Sequence, residues 1–187
     1  LGVILRTHDY PGVGKALIIL GALLYTLSIF LIAQIFSTSV SLQGTAWLFF
    51  LAWVGVLITS YLFNSSASLV VALAEFIVWV TMQYGALAIR SEAFSFGLLA
   101  LLYLFIGILL YGFNLLHLSQ EHKFSRVYQW WTACYFLIFS YILSFQIVLP
   151  FLWSAEISAV NEATIFIGAI AFIALCTFGA AAIFSKE

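Results

Sequence analysis

The segment at residues 67–89, ASLVVALAEFIVWVTMQYGALAI, decides the fold class of this chain. It carries a single charged side chain, Glu75. A helix needs roughly 20 apolar residues to cross the hydrocarbon core of a bilayer. A strand that crosses a membrane is about half as long and alternates in hydrophobicity, which this segment does not do. The segment therefore predicts a membrane-spanning helix with an acid inside it.

The composition of the whole chain also indicates that it is surrounded by lipid. Its 187 residues are 65% hydrophobic and only 7% charged, and the mean hydropathy is +1.19. Soluble domains carry roughly 25% charged residues, so most of this surface must face lipid rather than water. The net charge of -1 offers no basic surface for nucleic acid.

Further segments of the chain share this length and apolarity, and short polar linkers join them. The predicted spans, with the segment above included, are 14–36, 45–63, 67–89, 94–118, 127–153 and 164–184. We therefore predict an all-α, polytopic membrane protein, a bundle of six transmembrane helices that forms a single domain over residues 1–187. The opening LGVIL, before Arg6, is typical of the end of a helix. We expect the chain to be part of a longer protein.

The distribution of Lys and Arg predicts the orientation of the bundle, because cytoplasmic loops are enriched in these residues. With the N-terminus inside, Arg90 is the one basic residue that faces outward. The other basic residues then face the cytoplasm: Arg6, Lys15, Lys123, Arg126 and Lys186. We predict that both termini are cytoplasmic, in the inner membrane of the cell or another energy-transducing membrane of bacterial type.

The N-terminal part of the chain resembles a known family. Its features are GALL at 21–24, SIFLIA at 28–33 running into QIF at 34–36, WLFF at 47–50, and NSS at 64–66 before an apolar segment that reaches Trp79. Over roughly residues 14–80 this pattern resembles the bacterial predicted membrane family known as domain of unknown function 2157. The resemblance implies a polytopic bacterial membrane protein and supplies no activity or catalytic residue.

Polar side chains inside the predicted spans are the candidate functional residues. Tyr111, Asn114 and His117 share one arc of the fourth span, since residues three and four apart lie on one helix face. At 1.5 Å per residue, Glu75 lies roughly 12 Å and Tyr111 roughly 9 Å from the cytoplasmic end. We therefore predict an inner polar tier of these four residues. An outer tier is predicted near the opposite ends of three spans, at Gln34, Gln83 and Gln146.

The inner tier has two interpretations. An acid in the middle of a membrane helix costs roughly 2.5–3.5 kcal/mol on insertion scales, so a functional Glu75 would carry protons, with Tyr111 and His117 as relay partners. Alternatively, Glu75 hydrogen-bonds neighbouring helices together, an interaction worth roughly 0.6–2 kcal/mol. The structural interpretation is favoured, because one acid with no paired base makes a poor relay.

The residues that could support catalysis or metal binding form no known motif. The histidines, His8, His117 and His122, have no HExxH spacing, and both cysteines lie in apolar segments. We therefore predict no enzyme activity and no metal site, and the sequence indicates no particular cofactor. The leading hypothesis is a scaffold or accessory subunit of a membrane assembly, whose partners are the lipid bilayer and other membrane subunits. The alternative is a small proton-linked transporter that uses Glu75.

Overall fold

The structure is a computed structural model that describes residues 11–36, 41–90, 96–143 and 162–184. These residues form helices and short turns. The helices are α1 (Pro11–Phe36), α2 (Leu42–Leu62), α3 (Ser66–Arg90), α4 (Phe96–Ser119), α5 (Phe124–Leu143) and α6 (Glu162–Phe184). The predicted all-α class is confirmed.

Five of these helices, all except α5, are long and apolar enough to cross a membrane. Exposed side chains along them are large and apolar, as on α1, where Ile35 is 75% exposed. Lipid is the solvent in which such a surface is stable. The chain is a multi-pass membrane protein.

The predicted span at 127–153 differs most from the structure. The corresponding helix, α5, begins earlier, at Phe124, and its described part ends at Leu143. Its first turns include the polar residues Arg126 and Gln129, which lower its apolarity, and it is not among the five spanning helices. Residues 144–153, including Gln146, lie outside the described part of the chain.

Serine side chains explain why two helices begin earlier than predicted. Ser41 precedes α2, and its hydroxyl accepts from the backbone N–H of Gly44 at 3.0 Å. Ser65 precedes α3 and accepts from the N–H of Ser68 at 3.3 Å. A serine in this position satisfies a backbone donor that the first turn of a helix leaves free.

The turn between α2 and α3 is closed by backbone hydrogen bonds. Asn64 has a φ of 49°, in the left-handed region that asparagine tolerates better than most residues. The N–H of Ser65 donates to Ser60 O at 2.9 Å, and that of Asn64 donates to Tyr61 O at 3.2 Å. These two bonds form a Schellman motif, which satisfies the last carbonyls of α2.

The turn between α4 and α5 uses the same arrangement. Glu121 has a φ of 50°, and the N–H of His122 donates to His117 O at 2.9 Å. Each turn therefore joins its two helices in a few residues and pairs two of the last carbonyls of the preceding helix.

The chain divides into two compact units, Leu1–Ala86 and Leu87–Glu187. In the first unit α1 packs on α2, and the aromatic side chains of α2 pack on α3. Its core is a cluster of buried and half-buried residues: Ala22, Trp53, Val56, Leu57, Val71 and Ala72. The predicted single domain over 1–187 stays a prediction.

In the second unit α4 packs against both α5 and α6. One stripe of α4 is buried: Leu98, Leu102, Ile106, Leu109 and Leu110. Gly112 allows α6 to approach closely, because a Cβ at this position would lie 3.0 Å from Thr177 Oγ1 and 3.3 Å from the backbone N of Phe178. Close backbone approach at small residues is the usual basis of helix packing in membranes.

We expect Gly112→Val to destabilise the second unit by about 1–3 kcal/mol, since the added atoms meet the backbone of α6 at Phe178 as well as the hydroxyl of Thr177. Gly168→Val on α6 is the matched control, because a Cβ there meets nothing within 4 Å. Unfolding of the two purified variants in detergent micelles measures the difference. Equal stability of the two would contradict the close α4–α6 contact.

Candidate functional site

Glu75 lies on the buried face of α3, where it is 7% exposed. Its Oε1 lies at a hydrogen-bond distance of 2.6 Å from the hydroxyl oxygen of Thr26, near the middle of α1. The same hydroxyl lies 3.1 Å from the carbonyl oxygen of Ala22, one turn earlier on α1. The acid predicted inside this span is therefore hydrogen-bonded to α1, which precedes α3 by two helices in the sequence.

The other carboxyl oxygen of Glu75, Oε2, is buried and has no hydrogen-bond partner within the described part of the chain. Gln83 resembles it, because this side chain is 8% exposed and its Oε1 is also unpartnered there. The two residues are eight positions apart and about 80° apart around α3, so they share a face roughly 12 Å long. Both atoms are hydrogen-bond acceptors.

Four aromatic side chains pack together beside this face, and we call them the aromatic cluster: Phe50, Trp53, Phe76 and Trp79. The rings of Trp53 and Trp79 stack with centroids 5.4 Å apart and an interplanar angle of 8°. Phe76 lies 5.1 Å from Trp53, and Phe50 lies 4.9 Å from Trp79. These contacts join α2 to α3 next to Glu75 in sequence, and each aromatic pair adds about 0.5–1.5 kcal/mol beyond burial.

The remaining members of the predicted inner tier lie in the second unit. Tyr111 is 42% exposed, and its ring stacks on Phe178 of α6 at 6.3 Å. Asn114 is half-buried. The Nδ1 of His117 lies 2.7 Å from the carbonyl oxygen of Phe113. The predicted partnership of Glu75 with these three residues joins the two units and stays a prediction.

His117 belongs to a separate group at the end of α4. Its ring lies 4.9 Å from Tyr128 and 5.5 Å from His122, whose Nδ1 accepts from the N–H of Phe124 at 3.3 Å. The ring contacts pack the α4–α5 turn against the start of α5. In the described ranges, no group of three or more His, Cys, Asp or Glu could hold a metal ion.

The predicted outer tier stays a prediction, since Gln146 lies outside the described residues. Gln83 is buried and Gln34 is exposed, and the Oε1 of Gln83 does not pair with Gln34. At the same end of α3, Arg90 forms an ion pair of 3.5 Å with Glu162 at the start of α6, and both side chains are mostly exposed.

Comparison of the chain with protein-family models, with curated proteins and with solved structures found no match. The resemblance of residues 14–80 to the family of unknown function stays a prediction.

Sequence reasoning missed Thr26. The hydroxyl of a threonine in a membrane helix can donate to the carbonyl four residues earlier on the same helix. It therefore needs no partner on another helix, and the sequence does not single it out as a candidate polar contact. Its position near the middle of α1, in a predicted span that runs in the same direction as that of Glu75, is the signal that could have identified it.

We expect Thr26→Val to destabilise the first unit by roughly 0.6–2 kcal/mol, because it removes the described hydrogen bond to Glu75. Thr26→Ser should retain most of the stability, since it keeps the hydroxyl. The control is Thr59→Val, whose hydroxyl bonds only to Val56 O on its own helix among the described contacts. Unfolding in detergent micelles provides the measurement, and equal losses for the two valine variants would show that the α1–α3 hydrogen bond adds nothing.

Proposed function

We propose that this chain is a non-catalytic scaffold or accessory subunit of a larger membrane assembly. The observation that supports this proposal best is the enclosure of Glu75, which is 7% exposed and hydrogen-bonded to Thr26 on another helix. An acid enclosed in this way ties helices together and has little surface left for a substrate.

The compact turns are a second support. The turns at 63–65 and 120–123 are three and four residues long. Such turns present few side chains to a soluble substrate, whereas catalytic residues are commonly carried by longer loops on a rigid scaffold.

The exposed surface of α1 gives a subunit a place to bind other helices. Leu27, Ile32 and Ile35 are 54%, 56% and 75% exposed. Within a bilayer, helices associate by close packing and not by escape from water, so the same surface accepts lipid or a neighbouring subunit.

Proton-linked transport through Glu75 is the second candidate function. The observation that favours it is the buried Oε2 of Glu75, which has no hydrogen-bond partner in the described residues. Ionisable groups inside membrane segments commonly mark the path of an ion or a proton. A transporter would open this atom to water in another conformation.

The scaffold proposal predicts that the chain leaves its native membrane as part of a complex with a fixed subunit ratio, which native mass spectrometry after mild detergent extraction measures. Photo-crosslinkers at Ile32 on α1 and Phe172 on α6 test which exposed face is occupied. A protein adduct of one discrete mass at either position supports the proposal. A monomer that carries only lipid adducts at both positions contradicts it.

The transport alternative predicts that Glu75→Gln abolishes proton flux in liposomes under an imposed pH gradient, since an amide cannot take up and release the proton. Glu162→Gln is the control, because Glu162 is half exposed and paired with Arg90. Flux that is absent in the unaltered protein, or equal in Glu75→Gln, removes this alternative.

A further inference from the structure

The contacts of the Thr26 hydroxyl require a second proton. Its Oγ1 lies within hydrogen-bond distance of two acceptors, Glu75 Oε1 at 2.6 Å and Ala22 O at 3.1 Å. A hydroxyl has one hydrogen and can donate along one of these directions at a time. The carbonyl of Ala22 has no proton to offer, so both contacts are full hydrogen bonds only when the carboxyl of Glu75 is the second donor.

The other carboxyl oxygen supports the same protonation state. Oε2 of Glu75 is buried without a partner in the described residues. In a carboxylate this atom would carry half of a buried charge, which is costly without compensating hydrogen bonds. In a carboxylic acid it is a neutral carbonyl oxygen, and an unpaired neutral acceptor costs far less.

In the described part of this unit, no basic side chain lies beside Glu75 to compensate a carboxylate. Within residues 11–36 and 41–86, Glu75 is the only acid and Lys15 is the only base. Lys15 precedes Thr26 by eleven residues on α1, which places it roughly 16 Å away along the helix. The other titratable groups there are the phenols of Tyr25, Tyr61 and Tyr84, which carry no positive charge in either protonation state.

The short distance between the two oxygens distinguishes a proton from a metal ion. Carboxylate, hydroxyl and carbonyl oxygens are also the ligands of hard cations. Two ligands bound at right angles to an ion about 2.4 Å away would lie about 3.4 Å apart. The 2.6 Å between Thr26 Oγ1 and Glu75 Oε1 is the separation of two oxygens that share a hydrogen.

We propose that Glu75 and Thr26 form an occluded proton-binding site, in which Glu75 holds a proton and donates it to Thr26 Oγ1 while Thr26 donates to Ala22 O. Loading the site transfers one proton from hydronium in the aqueous phase to the carboxylate: an O–H bond of hydronium breaks, the carboxyl O–H bond forms, and water is left. The site is independent of transport, because a scaffold subunit can hold the same proton permanently.

Infrared difference spectroscopy of the full chain in liposomes tests the proposal, because it needs no reagent to reach the site. At pH 7 the spectrum of the unaltered protein minus that of Glu75→Gln should contain the carbonyl band of a protonated carboxylic acid. Glu162→Gln, which changes an exposed carboxylate, should leave that band in place. The absence of the band, with only carboxylate bands in the difference, overturns the proposal.

A second variant tests whether Thr26 is the hydrogen-bond partner of Glu75, and an exchange of salts tests whether the site holds a proton or Na⁺. In Thr26→Val the acid loses its acceptor, so the band should shift in frequency and remain; its disappearance would show that Glu75 is ionised and contradict the proposal. Replacing potassium by sodium at constant ionic strength should leave the band unchanged, and its loss in sodium would assign the site to Na⁺. If the carbonyl band is present but the liposomes show no proton flux, the proton site is supported and only the transport function is excluded.

Discussion

A carboxyl group inside a helical membrane unit must be satisfied by the few polar atoms on the helices around it, because lipid offers none. Here the hydroxyl of Thr26 does this across the α1–α3 contact. The interaction needs mid-helix residues of α1 and α3 at the same level. The small residues Ala22 and Ala72, which are buried in the core of the first unit, leave space for that approach. The hydrogen bond of Glu75 therefore depends on the close packing of α1 and α3.

The aromatic cluster adds to this hydrogen bond by joining α2 to α3. Trp53 stacks on Trp79, which follows Glu75 by one helical turn. The stacked rings hold α2 against α3, whereas the hydroxyl holds α1 against α3. The hydrogen bond and the aromatic stacking are each worth about 2 kcal/mol or less, so neither alone holds the three helices of the unit in one arrangement. In lipid, apolar helices gain no hydrophobic free energy by packing on one another, because lipid tails are as apolar as their side chains. The hydrogen bond and the aromatic contacts together explain how three such helices keep a defined arrangement.

The membrane class of the chain, and its helices to within a few residues, could be predicted from the sequence, because length and apolarity in lipid leave few alternatives. The presence of an acid inside a membrane-spanning helix was also predictable. Its hydrogen bond to Thr26 was not. The prediction favoured residues with conspicuous polar groups, Tyr111 and His117, while Thr26 bonds to its own helix and so is compatible with any packing. Helix starts were missed where one serine, Ser41 or Ser65, satisfies the first turn.

The scarcity of bases around Glu75 has a different meaning once its contacts are known. In the sequence, an acid without a paired base weakens the case for a proton relay. In the structure, the described part of the first unit has Lys15 as its only base, and Glu75 bonds to a hydroxyl. A buried ion pair would need two charges to leave water, which costs several kcal/mol for each ion. A neutral acid bonded to a hydroxyl avoids that cost and still joins two helices. A base beside Glu75 would favour the carboxylate form. A hydrogen bond that joins α1 to α3 through a protonated Glu75 therefore requires that no base contacts this side chain, and the described contacts contain none.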